Sequence, residues 1–281
     1  MQNIRNWIEN SPYSRFLGVR VDRIDETGAR LRLPFREENS NPGQALHGGC
    51  AASLGAICGQ GVARAALGDE SGPWHTAQVQ VNYLAAAIGE EIIAEAQLLR
   101  RGKEICFVSA DIMTTDGKPV AKVITTVRGR MGAPAAELTT AIGDKGDADP
   151  GPMGPHIGRV PYIGHRGLTV EHMANGQARL VLPNSENNAD STGGVHEGAQ
   201  FALLDTTGAM AAWGVVGPGP YKASTASIQA QFIDPAPQSD LVAYGRCVQQ
   251  DNELFWVDVE VASAEDGRVT ARGNVLYRIV V

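Results

Sequence analysis

The chain lacks any excess of positive charge. Lys and Arg number 24 against 31 Asp and Glu, a formal charge of −7, so it has no general electrostatic attraction for nucleic acid or an anionic membrane surface. Cysteine is sparse. Cys50, Cys58, Cys106 and Cys247 form no C-x-x-C pair and have no His or Cys at zinc-ligand spacing, so a structural zinc is not expected, and scattered thiols suit a reducing cytoplasm. The first ten residues carry Arg5 and Glu9 and no apolar stretch long enough for a secretory signal, so a cytoplasmic location is expected. The uncharged run 39–63 could span a bilayer by length. It holds Asn41, Pro42, Gln44, His47, Gln60 and several glycines, and reads instead as loop plus buried helix.

What is present is glycine, 33 in 281 residues, or about 12% against a usual ~7%. The length suits two ordinary domains, and the chain repeats itself. Shifted by 149 places, Leu33-Pro34 falls on Leu182-Pro183, His47 on His196, Gly49 on Gly198, Leu54 on Leu203, Gly59 on Gly208, Thr76 on Thr225 and Val108 on Val257. No gap is needed across residues 41–108. A repeat must be sought before any local reading, because missing it misassigns the whole fold.

Residues 76–83 alternate polar Thr76, Gln78, Gln80 and Asn82 with apolar Ala77, Val79, Val81 and Tyr83, the period of a half-buried strand; residues 225–232 keep the phase. Each half then shows two strand-like runs around an Asp-Gly turn, 104–114 with 119–128 and 253–263 with 269–279, the strongest short hairpin signal. A further strand pair precedes the motif in each half, 17–24 with 29–35 and 168–172 with 178–182. One long helix per half begins at His47 or His196 and runs about eighteen residues. It has no broad polar face, so it is buried on most sides. Residues 131–158, rich in Ala, Gly, Pro and Asp, cannot bury enough apolar surface to order themselves and read as a linker. The expected organisation is a domain at 1–130, the linker at 131–158 and a domain at 159–281.

A buried helix wrapped by an antiparallel sheet, entered through Asn41-Pro42-Gly43-Gln44-Ala45-Leu46-His47-Gly48-Gly49, resembles the hotdog-fold acyl-CoA thioesterases of the PaaI type. The whole chain is similar to two such hotdogs fused, an α+β fold. The family motif is an Asn, His-Gly-Gly six residues later, and a catalytic acid nine residues after the His. The first half matches Asn41, His47, Gly48 and Gly49 but holds Ala56 at the acid position. The second matches His196, Gly198 and the acid Asp205, but has Asp190 for Asn and Glu197 for the first Gly.

Within one half the helix start and the acid are about eight residues apart, roughly 12 Å at 1.5 Å per residue. One carbonyl cannot touch both, and hydrolysis needs an oxyanion donor and an attacking group each about 3 Å from the reacting atoms. Two long helices lying antiparallel would solve this, and the resemblance implies that arrangement. Site one would combine Asn41, His47 and Gly48 with Asp205 and Thr225. Site two would combine Asp190, His196 and Glu197 with Ala56 and Thr76, lacks the acid, and is expected to be silent.

The Gly48 N–H, at a helix start, is the expected oxyanion donor; a glycine serving only the tight turn is the plain alternative. Asp205 stands among Phe201, Ala202, Gly208 and Ala209 on its helix face, where an ionised group needs partners or a task; a helix face that meets solvent is the plain alternative. It could attack directly or deprotonate a water. His47 orders the loop or bonds the thioester carbonyl, Asn41 holds the loop or polarises that carbonyl, and Thr225 positions water or reflects strand propensity. Glu197 suits a helix start as a stabilising charge. Arg100-Arg101 with Lys103, or Arg128 with Arg130, are candidates for the basic patch that coenzyme A phosphates would need, and read more simply as solvated strand ends or loop.

The resemblance implies an acyl-CoA thioesterase that takes a small-molecule acyl-CoA and needs no metal or redox cofactor, with no nucleic-acid or membrane partner. A non-catalytic acyl-CoA binding or sensing protein is the rival; a hydratase would need an Asp-x-x-x-x-His that is not found. Exposed strand edges would allow dimers or trimers of the chain.

Overall fold

A computed structural model describes residues 1–129 and 137–280. The first half runs α1 (Gln2–Asn10), α2 (Pro12–Leu17), β1 (Arg20–Ile24), β2 (Gly28–Leu33), α3 (Gly48–Leu67), β3 (Trp74–Tyr83), β4 (Ile92–Arg101), β5 (Ile105–Thr114) and β6 (Pro119–Gly129). The second runs α4 (Gly154–Ile157), α5 (Pro161–Arg166), β7 (Thr169–Ala174), β8 (Gln177–Leu182), α6 (Glu197–Val216), β9 (Lys222–Phe232), β10 (Leu241–Gln250), β11 (Leu254–Ser263) and β12 (Val269–Val280). Both ends of α6 are those of α3 displaced by 149 places. Each half is a hotdog.

The strands form one sheet in the order β1-β2-β4-β5-β6-β3-β9-β12-β11-β10-β8-β7. The halves join where β3 pairs antiparallel with β9. There Gln80 faces Gln229, its own counterpart in the repeat, so a local twofold passes between them. Helices α3 and α6 pack on each other inside the sheet and are buried along most of their length. Helix α3 is long and apolar enough to cross a membrane, but here its residues are enclosed by protein. Small residues permit this: a Cβ at Gly208 would lie 2.6 Å from Val275 of β12, closer than packed atoms come.

The hairpins at Asp116-Gly117 and Asp266-Gly267 form as expected, β5 with β6 and β11 with β12. Several elements escape the sequence reading. Strands β4 and β10 open on Ile92-Ile93-Ala94 and Leu241-Val242-Ala243, buried on both faces, so polar alternation is absent where it would have marked them. Residues 17–19 belong to the end of α2 and the turn after it, not to the first strand. Helices α2 and α5 both start on a proline and end on a left-handed glycine, Gly18 or Gly167, a start and stop signal at the same 149-residue shift.

Residues 130–136, including Arg130 and the start of the expected linker, lie outside the described residues. From 137 onward the segment is laid along the second half by hydrogen bonds rather than by a core of its own. Ile142 N–H donates to Glu260, Arg179 pairs with Asp144, and His172 Nδ1 bonds the Asp147 carbonyl at 2.8 Å. It then forms the single turn α4.

Candidate active site

The two helix entries are built alike. His47 and His196 are the N-caps of α3 and α6, and the Nδ1 of each accepts the N–H of the residue two ahead, Gly49 or Gly198, at 2.9 Å. An accepting Nδ1 places the ring proton on Nε2. Burial pushes the pKa of His47 down to about 3 and of His196 to about 4; Arg166 adds to the fall at His47. Both imidazoles are therefore neutral, and neither exchanges protons at physiological pH.

The rings are fixed by stacking from the opposite half. Tyr162 of α5 lies on His47 with centroids 4.3 Å apart, and Tyr13 of α2 lies on His196 at 4.5 Å. A Cβ at Gly49 would lie 2.8 Å from the Tyr162 hydroxyl, so a side chain there would expel the ring. Asn39 and Asn188 fasten the loops from below. Asn39 Nδ2 donates to the Leu17 carbonyl at 3.0 Å and its own carbonyl accepts the His47 N–H, and Asn188 does the same with Arg166 and His196. The sequence reading singled out Asn41, two residues away. Asn39, Tyr13 and Tyr162 were missed, although each has its identical counterpart 149 residues along.

At α3 the Gly49 and Cys50 N–H groups are taken by His47 Nδ1 and the His47 carbonyl. Among the described residues no protein acceptor bonds the Gly48 N–H. The Tyr83 ring closes over Gly48, and its hydroxyl donates to the Gly48 carbonyl at 3.3 Å.

Asp205 is 5% exposed, so the helix face that carries it does not meet solvent. Burial lifts its pKa to about 6, against the opposing hydrogen bond that Thr225 Oγ1 donates to Oδ1 at 2.7 Å. Strict alternation would have turned Thr225 outward with Ser227 and Gln229. A β-bulge at Ala226, where Leu276 pairs with Ser227 and Tyr277 with Thr225, reverses it. An extra residue in one strand flips the face of what precedes it.

One cleft of about 640 Å³ brings these groups together. Asn41, His47, Gly48 and Tyr83 line it from the first half, Asp205 and Thr225 from the second. All five residues expected at site one thus face a common space. No Lys or Arg is among its lining residues. A polar depression of about 400 Å³ on the outer sheet face, around Asp258, Glu260 and Arg272, contains none of them.

The related position in the other half is occupied by side chains. Glu197 stands where Gly48 would be, and the Gln60 amide bridges its carboxylate and Thr76 Oγ1, the latter at 2.7 Å. Burial raises the Glu197 pKa. Asp190 is turned away into its own loop, accepting Thr192 N–H at 2.6 Å. The sequence reading named Glu197, Asp190 and Ala56 here but not Gln60.

Comparison with known proteins agrees with this fold. Residues 36–129 match a family described as the acyl-CoA thioesterase N-terminal domain, and residues 192–270 match the thioesterase superfamily. A candidate esterase of Saccharolobus solfataricus is 30% identical over 110 residues, 39% of this chain and 77% of that protein. Another from Halobacterium salinarum is 31% identical over 115 residues, 40% of this chain and 76% of that protein. Each spans about one half. A solved candidate thioesterase from Novosphingobium aromaticivorans superposes with a TM-score of 0.68 over 93% of this chain and 98% of its own, at 15% identity. A hot dog protein of unknown function from Alicyclobacillus acidocaldarius gives 0.64 over 90% and 93%, at 17% identity. The duplicated helix-in-sheet unit, its paired His-capped helices and these matches make the chain a member of the hotdog-fold thioesterase superfamily.

Proposed function

We propose that the thioester hydrolysed by this chain is an acyl-CoA, cleaved to a carboxylic acid and free coenzyme A at one composite site per chain. The observation that carries this reading is the buried Asp205 opening into the same cleft as the unbonded Gly48 N–H. The family description matched by residues 36–129 supports acyl-CoA as the substrate class.

In this mechanism the thioester carbonyl oxygen lies on the Gly48 N–H at the positive end of α3, where developing negative charge is stabilised. The neutral His47 keeps the helix entry in shape, and as a residue lining the cleft it offers its Nε2–H as a second donor. Asp205, with a pKa about 6, is ionised at neutral pH and takes a proton from a water held with Thr225. The water oxygen attacks the carbonyl carbon, the C–S bond breaks, and the proton passes from Asp205 to the departing thiolate. Asn41 borders the entrance. The related position with Glu197 is silent, because a carboxylate already sits at its helix start and Ala56 supplies no base.

Hydrolysis of a panel of acyl-CoAs tests this. Asp205→Asn is expected to lower kcat by at least a hundredfold, the lower range for general-base catalysis, while Ala56→Asp leaves it roughly unchanged. Full activity in the Asp205 variant overturns the assignment. Saturable acyl-CoA binding without turnover in the parent protein selects the non-catalytic reading instead.

A further inference from the structure

The two halves differ most in what lies beyond the acid on the long helix. On α6, Asp205, Ala209 and Trp213 follow one another at four-residue spacing and share a face, and all three line the cleft. From Asp205 to Trp213 the helix rises roughly 12 Å. Trp213 is buried at 7% exposure, donates its Nε1–H to the Tyr277 hydroxyl at 3.2 Å, and stacks against Tyr221 with centroids 6.1 Å apart. Its indole is held from two sides at the far end of that face. Met210, Met153 and Ile157 complete apolar walls.

The same positions on α3 are Ala56, Gln60 and Arg64. Gln60 is tied to Glu197, and the Arg64 guanidinium lies 3.5 Å from the Trp7 ring centroid and 5.1 Å from that of Trp74. Ile4 and Ile8 of α1, a helix of nine residues, pack over Gly61. Their counterparts Met153 and Ile157 sit on or beside α4, which has four residues, and border open space instead. Side chains fill the region in one half, and the small Ala209 leaves it empty in the other.

We propose that this space is the acyl chamber of the site read above as a thioesterase, and that Trp213 ends it, selecting apolar acyl groups of medium length. A shorter chain leaves apolar wall in contact with water, a loss of roughly fourfold per methylene. A longer one meets the indole. The exposed residues Leu84, Ala85 and Ala86, which also line the cleft, form the mouth through which the thiol portion leaves.

Values of kcat/KM for butanoyl-, octanoyl- and palmitoyl-CoA test the assignment in the parent chain, Trp213→Ala and Ala209→Leu. Octanoyl-CoA is expected to be the best substrate of the parent. Trp213→Ala raises the palmitoyl to octanoyl ratio at least tenfold, and Ala209→Leu lowers the octanoyl to butanoyl ratio at least tenfold. A parent that takes palmitoyl-CoA as well as octanoyl-CoA overturns the proposal. So do unchanged ratios in folded variants, and Ala209→Leu decides alone where Trp213→Ala does not fold. Hydrolysis with a flat chain-length profile, or hydrolysis only of other acyl-CoAs in the panel, removes the chamber but leaves the thioesterase reading standing, whereas no hydrolysis of any acyl-CoA in the panel removes both.

Discussion

The Tyr13 and Tyr162 hydroxyls meet 3.0 Å apart at the local twofold, each from the short helix that stacks its ring on the other half's capping histidine. The halves are thus bound by an exchange of aromatic rings as well as by the β3–β9 pairing. Tyr13 also bonds Ser53 Oγ at 2.7 Å, so its hydroxyl is satisfied twice.

Tyr13→Phe leaves the buried Tyr162 and Ser53 hydroxyls without their shared partner, and Tyr162→Phe leaves Tyr13 with Ser53 alone. Tyr13→Phe and Tyr162→Phe are each expected to cost about 1 kcal/mol. The double variant should cost less than the sum of the two. A cycle of denaturant titrations measures this, and strict additivity would show that the two hydroxyls do not interact.

Activity should rise with pH through about 6, as the Asp205 carboxylate loses its proton. Thr225→Val removes the hydrogen bond that favours the ionised form. The rising limb of kcat/KM is then expected to move to higher pH, with the plateau falling roughly tenfold for one charge-assisted bond. A pH–rate profile of both proteins checks the direction.

The same burial makes Asp205 a cost to the fold. Its folded-state pKa lies above the ordinary carboxylate value, so its contribution to stability is fully present below about pH 4 and is lost as pH rises through about 6. Asp205→Asn keeps an acceptor for Thr225 without the charge. It is expected to gain about 3 kcal/mol at pH 8 while losing activity, readable as a higher Tm that nearly vanishes when compared at pH 4.

The capping histidines respond in the opposite sense. Their folded pKa values lie below the unfolded value near 6.5, so the stability they contribute is full above that pH and is lost as pH falls toward about 4 for His196 and 3 for His47. His196→Asn retains a good N-cap that does not titrate. Its denaturant midpoint should fall less between pH 7 and pH 5 than that of the parent.

Much of the fold was legible because the chain states it twice. A single 149-residue shift carries α3 onto α6, and also Tyr13 onto Tyr162 and Asn39 onto Asn188, so duplication marked positions that composition alone would not. The His-Gly-Gly entry, and the acid position held by Asp205 in one half and by Ala56 in the other, came from the resemblance to the family motif, whose spacing lies within one helix. Strands β4 and β10 could not be read, because their opening residues are buried on both faces, which erases the alternation that reveals a strand.

What the linear chain determined, then, was the inventory: two helix-in-sheet units, one with a free glycine amide and one with a carboxylate. The tertiary structure decided which groups share a space. A bulge at Ala226 turns Thr225 inward onto Asp205, Tyr162 crosses to hold His47, and Gln60 satisfies Glu197 so that the related position is filled. These outcomes depend on strand register and on side chains brought together across the interface between the halves, and no spacing within either half specifies them.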